Sequence, residues 1–113
     1  RYRSHLGRSL AGCFDQVDLL AMPTLPLTAT PFGTTEVDLG GEPASPFAAL
    51  LRNCEPFNLT GLPALTVPCG FAEGLPVGLQ LVAPAFAEPL LLNAGDAYQR
   101  ATDWHRRPVA AAP

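Results

Sequence analysis

The sequence predicts an α/β fold, and three features carry that prediction. Helical periodicity frames the chain at about residues 2–16 and from Glu88 onward. Short apolar runs at 17–22, 64–67 and 76–82 read as strands. Stretches rich in proline and glycine separate them, so no single pattern runs through the whole chain.

At the start, Leu6, Leu10, Phe14 and Val17 recur at spacings of four, four and three, with Arg3, Arg8 and Asp15 between them. That spacing is the apolar stripe of a surface helix. Val17–Met22 is a short apolar run stopped by Pro23, which suits a buried strand because proline cannot donate to a ladder. From Pro23 to Pro46 there are five prolines and the pair Gly40-Gly41, which predicts a long loop. Ser45-Pro46 can cap and open a short helix through Ala48, Leu50 and Leu51, ending near Asn53. Glu55–Leu62 reads as a loop leading to the next strand.

Ala64–Val67 and Pro76–Val82 should pair as an antiparallel hairpin, with Glu73-Gly74 supplying the turn. In the second run Val77, Leu79, Leu81 and Ala83 alternate with Gly78, Gln80 and Val82, giving one strongly apolar face and one mixed face. A last helix opens near Glu88-Pro89 and is expected to bury Leu90, Ala94, Ala97, Ala101 and Trp104. The expected organisation is one incomplete domain over residues 1–107, followed by a disordered tail over 108–113.

Composition narrows the function. Of 113 residues 48% are hydrophobic and 15% charged, with a net charge of -3, so no basic stripe exists to hold phosphates and nucleic-acid binding is not expected. All seven basic side chains are arginine, so the chain contains no lysine. Cys13, Cys54 and Cys69 are an odd number without CxxC spacing, which argues against a disulfide framework or zinc knuckle and fits a cytoplasmic protein. Its uncharged runs are too interrupted by proline and glycine to span a membrane. The first residues already read as helix interior, with no signal-peptide pattern, as in a piece of a longer protein.

Three blocks in order carry a family resemblance. Phe14–Leu20 with Pro23-Thr24-Leu25-Pro26 is the first, Pro56–Phe71 with Gly74–Val82 the second, and Ala97–His105 the third. Together they resemble the C-terminal part of amidase-signature enzymes. The resemblance implies a mixed sheet with flanking helices, and enzymes that cleave carboxamides with a serine nucleophile, a second serine and a lysine base. It also implies that these three catalytic residues lie in upstream segments. The implied partners are the missing N-terminal part of the domain and a small-molecule amide, and a homodimer of the full enzyme stays open.

No catalytic residue is therefore expected in this chain. Ser4, Ser9 and Ser45 fall in a helix or at a helix start, and there is no lysine base to activate them. A thiol nucleophile, Cys54 or Cys69 with His5 or His105, is the outside alternative, and packing and helix-end roles are the expected ones. No cluster has metal-ligand spacing, and no cofactor or metal is implied. The resemblance places Glu55–Leu62 beside the acyl pocket, making Phe57, Asn58 and Thr60 the candidate pocket residues. In the family's tRNA-amidotransferase branch an acidic residue precedes this loop; the corresponding position here falls near Leu51, which favours a general amidase. A non-catalytic module completing another polypeptide by strand pairing is the alternative reading.

Overall fold

The computed structural model describes residues 1–109. Helix α1 spans Tyr2–Cys13 and strand β1 Leu20–Pro23. The short strands β2, Val37–Asp38, and β3, Pro43–Ala44, follow, then helices α2, Pro46–Leu51, and α3, Glu55–Thr60. Strands β4, Ala64–Ala72, and β5, Leu75–Val82, precede helix α4, Glu88–Ala101, and a 3-10 turn at Trp104–Arg106. The main sheet has the order β1-β5-β4, with both pairings antiparallel. The expected hairpin is present, with Leu65 opposite Leu81, Val67 opposite Leu79, and a turn in which Glu73 and Gly74 take φ of 54° and 79°.

Alternation along β5 decides what each face of the sheet meets. Leu79 and Leu81, with Leu65 and Val67 opposite them, form the apolar face, and α4 packs on it through Leu91 and Ala94. The helix lies so close at Gly95 that a Cβ there would stand 2.6 Å from Leu65 Cδ2. Its buried positions are Leu91 and Gly95, with Ala94 and Tyr98 half-buried. The burial stripe is thus rotated from the expected Leu90, Ala97 and Ala101, because the sheet selects the glycine for closest approach. Trp104 does not extend that stripe either. The helix stops at Ala101, Thr102 turns extended, and its Oγ1 donates to the Tyr98 carbonyl at 2.9 Å.

Several expected boundaries move for local reasons. The first helix ends at Cys13 rather than 16, where Phe14, Asp15 and Gln16 donate to carbonyls three residues back and tighten the chain out of the helix. The first strand begins at Leu20 and includes Pro23, which is tolerated because β1 pairs on one side only. The loop 23–46 contains the β2–β3 hairpin, whose turn is held by Gly41 N donating to Asp38 Oδ1 at 2.7 Å. Glu55–Leu62 is not a loop throughout. Pro56 sits in its first turn and Gly61, at φ 75°, closes it, so these two residues bracket a six-residue helix. Ser45 caps α2 as expected, accepting from Ala48 N at 3.2 Å. Of the expected tail, Pro108 and Val109 are exposed and outside any regular element, and 110–113 lie outside the described residues.

The molecule is a slab, 47 × 37 × 18 Å. Its radius of gyration is 15.8 Å, against about 13 Å for a compact domain of this length. Its accessible surface is 7787 Å², against roughly 6,000 Å² for a compact monomer of this mass. Phe32, Phe47, Phe86 and Leu92 are all largely exposed. The core is correspondingly small, and it sits on the α4 side of the sheet.

After α4, Trp104 packs tilted on Phe71, with ring centroids 6.4 Å apart, and Arg107 lies 4.2 Å over the indole. Asp103 Oδ1 accepts from Arg107 Nε at 3.0 Å and from its terminal nitrogen at 2.9 Å. The hydrogen bond from Arg107 holds the Asp103 carboxyl below its ordinary value of 3.8. A depressed carboxyl stabilises the folded state above its unfolded pKa and loses that contribution as pH falls through the folded value. Fluorescence of Trp104, the only tryptophan, should therefore titrate with a midpoint below 3.8, and Asp103→Asn should abolish that transition. Leu91→Ala should cost about 2–5 kcal/mol in denaturant unfolding, whereas Leu92→Ala, 63% exposed, should change stability by no more than about 0.5 kcal/mol.

Candidate substrate groove

The second face of the sheet carries the mixed residues of β5 and is only partly covered. At one end the α2–α3 junction is tied down by three side chains. Asn53 Nδ2 donates to the Pro23 carbonyl at 3.0 Å, and Cys54 Sγ to the Thr24 carbonyl at 3.5 Å. Gln80, only 3% exposed, donates from Nε2 to the Asn53 carbonyl at 3.2 Å. A buried amide group needs such a partner, so Gln80 fixes the junction against the sheet.

Beyond this clamp the face opens into a groove of about 830 Å³. The chain leaving β1 as Thr24–Ala29 forms one wall, β5 and β4 supply Val77, Gly78, Leu79, Thr66 and Cys69, and Leu50 of α2 adds a further wall. Thr24 N donates to the Gly78 carbonyl at 2.9 Å, extending the β1–β5 pairing by one residue. This brings the Thr24 and Thr66 hydroxyls within 3.2 Å of each other across the middle strand. Gly78 permits the meeting. A Cβ there would lie 2.8 Å from Thr66 Cγ2 and 2.9 Å from Thr24 Oγ1.

The three expected pocket residues all lie on α3, and none lines this groove. Phe57 is 4% exposed, and its carbonyl accepts from Gly61 N at 2.8 Å. Asn58 is exposed. Thr60 Oγ1 donates to the Pro56 carbonyl at 2.7 Å, bracing the helix from inside. The residues that do build the groove, Thr24, Thr66 and Gly78, had only the mixed alternation of β5 as a signal in the sequence. Nothing local pairs Thr24 with Thr66, which are 42 positions apart.

The remaining candidates find ordinary roles. Cys69 stands at the β4 bulge between Pro68 and Gly70 and donates its weak S–H to the Val77 carbonyl at 3.6 Å. Cys54 bonds a backbone carbonyl likewise, so neither thiol has a histidine as hydrogen-bond partner. His105 does not cap α4, since the helix ends before it. It sits in the 3-10 turn, where Arg106 Nε donates to its Nε2 at 3.2 Å. Among the described residues no group of three or more His, Cys, Asp or Glu is placed to hold a metal ion.

Comparison with known proteins agrees with the three sequence blocks. The family profile named Amidase matches residues 1–92. The glutamyl-tRNA(Gln) amidotransferase A subunit of Roseiflexus sp. (strain RS-1) is 50% identical over 107 residues, which is 93% of this chain and 20% of that protein. Its counterpart from Moorella thermoacetica is 42% identical over 107 residues, 95% of this chain and 21% of that protein. Among solved structures, one described as an amidase superposes with TM-score 0.82 at 34% identity, covering 88% of this chain and 23% of that one. A bacterial aryl acylamidase of the amidase-signature family gives TM-score 0.76 at 30% identity, covering 94% of this chain and 24% of that one. The chain thus spans about a fifth of the length of the curated relatives it matches.

Gly78→Ala should separate the two threonines and lower stability by about 1–3 kcal/mol through overpacking between two stiff side chains. Gly12→Ala, whose new Cβ meets nothing within 4 Å, is the control and should stabilise by up to about 1 kcal/mol. Denaturant midpoints for the two variants test this, and an unchanged midpoint for Gly78→Ala would mean that Thr24 and Thr66 move aside.

Proposed function

The chain belongs to the Amidase family, and from that footing we propose that it is the C-terminal part of a carboxamide hydrolase whose catalytic serines and lysine lie in a segment preceding it. The reaction is cleavage of an amide C–N bond to a carboxylate and ammonia or an amine. The observation that carries this reading is the family match over residues 1–92 in a chain that has no lysine. A serine hydroxyl needs a base within hydrogen-bond reach, and the three serines here are Ser4 and Ser9 on α1 and the cap residue Ser45. The part left to this chain is scaffold and pocket wall. The slab shape, and a surface well above that of a compact monomer, support a partner covering part of it.

Within that reading the α3 residues keep a substrate-side role. Asn58 is the exposed member and is the one placed to meet a substrate outside the groove, whereas Phe57 packs beneath the helix and Thr60 holds its first carbonyls. The partners are the remainder of the domain and a small-molecule amide, in the cytoplasm. No described helix is long and apolar enough to cross a membrane.

A second reading, the glutamine-using component of a tRNA amidotransferase, is favoured by the relatives of 50–51% identity. Leu51 at the position where that branch carries an acid speaks against it.

Co-expression of this chain with an amidase segment carrying the family's serines and lysine tests the proposal. Amide hydrolysis is expected from the pair and not from either piece. Turnover by the 113-residue chain alone, abolished by thiol alkylation, would overturn it in favour of a cysteine hydrolase. Turnover confined to glutamine would favour the amidotransferase reading.

A further inference from the structure

The turn that leads into α4 holds a residue that its geometry disfavours. Ala83, fully buried, donates its N–H to the Pro63 carbonyl at 3.1 Å, and Ala87 N donates to the Pro84 carbonyl at 3.1 Å. These bonds fix the chain on either side of Phe86 and put it at the third position of the turn Pro84–Ala87, with φ at 65°. A positive φ there suits glycine or asparagine, because a larger side chain brings its Cβ against the following carbonyl. Elsewhere among the described residues the positive-φ positions are glycines or, at Glu73, a polar residue in the hairpin turn. Phe86 is the one bulky apolar residue held in this way.

Nothing in this chain offsets that strain. The ring is 92% exposed, so it adds nothing to the core formed by Leu81, Ala83 and Leu91. An aromatic side chain that is both strained and left in water lowers the stability of the chain on two counts, and burial against another surface accounts for its place. Farther along, α4 turns the exposed Asp96–Arg100 ion pair to solvent. Apolar contact is therefore concentrated at the start of the helix, where Leu92 is also 63% exposed.

We propose that Phe86 anchors this chain to the preceding part of the amidase domain, its ring entering an apolar recess on that part. The proposal rests on the reading of the chain as one part of a longer domain. Of this chain 93% matches only 20% of the Roseiflexus subunit, so the larger part of such a protein has to meet this slab. A second copy of the chain is the disfavoured occupant. The apolar groove lies on the sheet face away from α4, so two copies could use Phe86 there only head to tail, a contact that propagates instead of closing. An aromatic ring held at a fixed turn loses little freedom on docking, which suits it to be an anchor.

Photo-cross-linking identifies the occupant. With Phe86→p-benzoylphenylalanine in the co-expressed pair, irradiation should join this chain to the amidase segment that carries the serines and lysine. A product between two copies of this chain, or no product, would overturn the proposal. Affinity and stability supply the second test. Phe86→Gly should raise the denaturant midpoint of the 113-residue chain yet weaken its binding to that segment about tenfold. Phe86→Ala should weaken binding as much with little change in midpoint. A residue that served folding alone would move both quantities in the same direction. Binding indifferent to both substitutions, or no binding by the unsubstituted chain, would refute the anchor. Assembly that depends on Phe86 but yields no amide turnover would sink the hydrolase reading and leave the anchor standing. Turnover by a pair indifferent to Phe86 would do the reverse.

Discussion

The position of β5 between β1 and β4 is the constraint on which the rest of the structure depends. It is the only strand of the main sheet paired along both edges among the described residues. Its alternation therefore sets the character of both faces at once. Leu79 and Leu81 give α4 an apolar surface to cover, and Gly78 and Gln80 give the opposite face a gap and a buried amide. A register slip of one residue would exchange these faces, placing Gln80 under α4 and Leu81 against the α2–α3 junction.

The two faces are held by different physics. On the α4 side the interaction is apolar contact, tightened by Gly95 so that the helix rests directly on Leu65 and Val67. On the other side it is a set of directed bonds from Gln80, Asn53 and Cys54 to backbone carbonyls. Directed bonds hold a junction in place without requiring that a large area be buried. That is how α2 and α3 stay fixed while much of the face beside them remains open. The openness of this face and the exposure of Phe47 and Leu50 belong to one pattern, in which the chain stabilises one side by itself and leaves the other available.

The order of elements was largely legible. Proline and glycine marked the ends of β1, α2 and the β4–β5 turn, and the capping serine was identifiable because its chemistry is local. The misses are local signals that length obscured. Pro56 and Gly61 bracket α3, yet six residues are too few for a helical stripe to declare itself. The β2–β3 pair hid within a proline-rich stretch because Pro43, though unfit for a central strand, is tolerated in a two-stranded ribbon. The rotation of the α4 stripe was not legible at all, since an alanine and a glycine look equally small until a sheet demands contact closer than Cβ allows.

By itself the sequence determined that this chain brings no lysine to an amidase fold, and that the three serine positions are ordinary helix and cap residues, because residue type and local spacing suffice for both. Only the tertiary structure decided where a pocket forms. Thr24 and Thr66 become neighbours through the pairing of two strands with a third, and they meet only because Gly78 stands between them without a side chain. Such a relation among three distant positions arises from strand register, which no local pattern encodes.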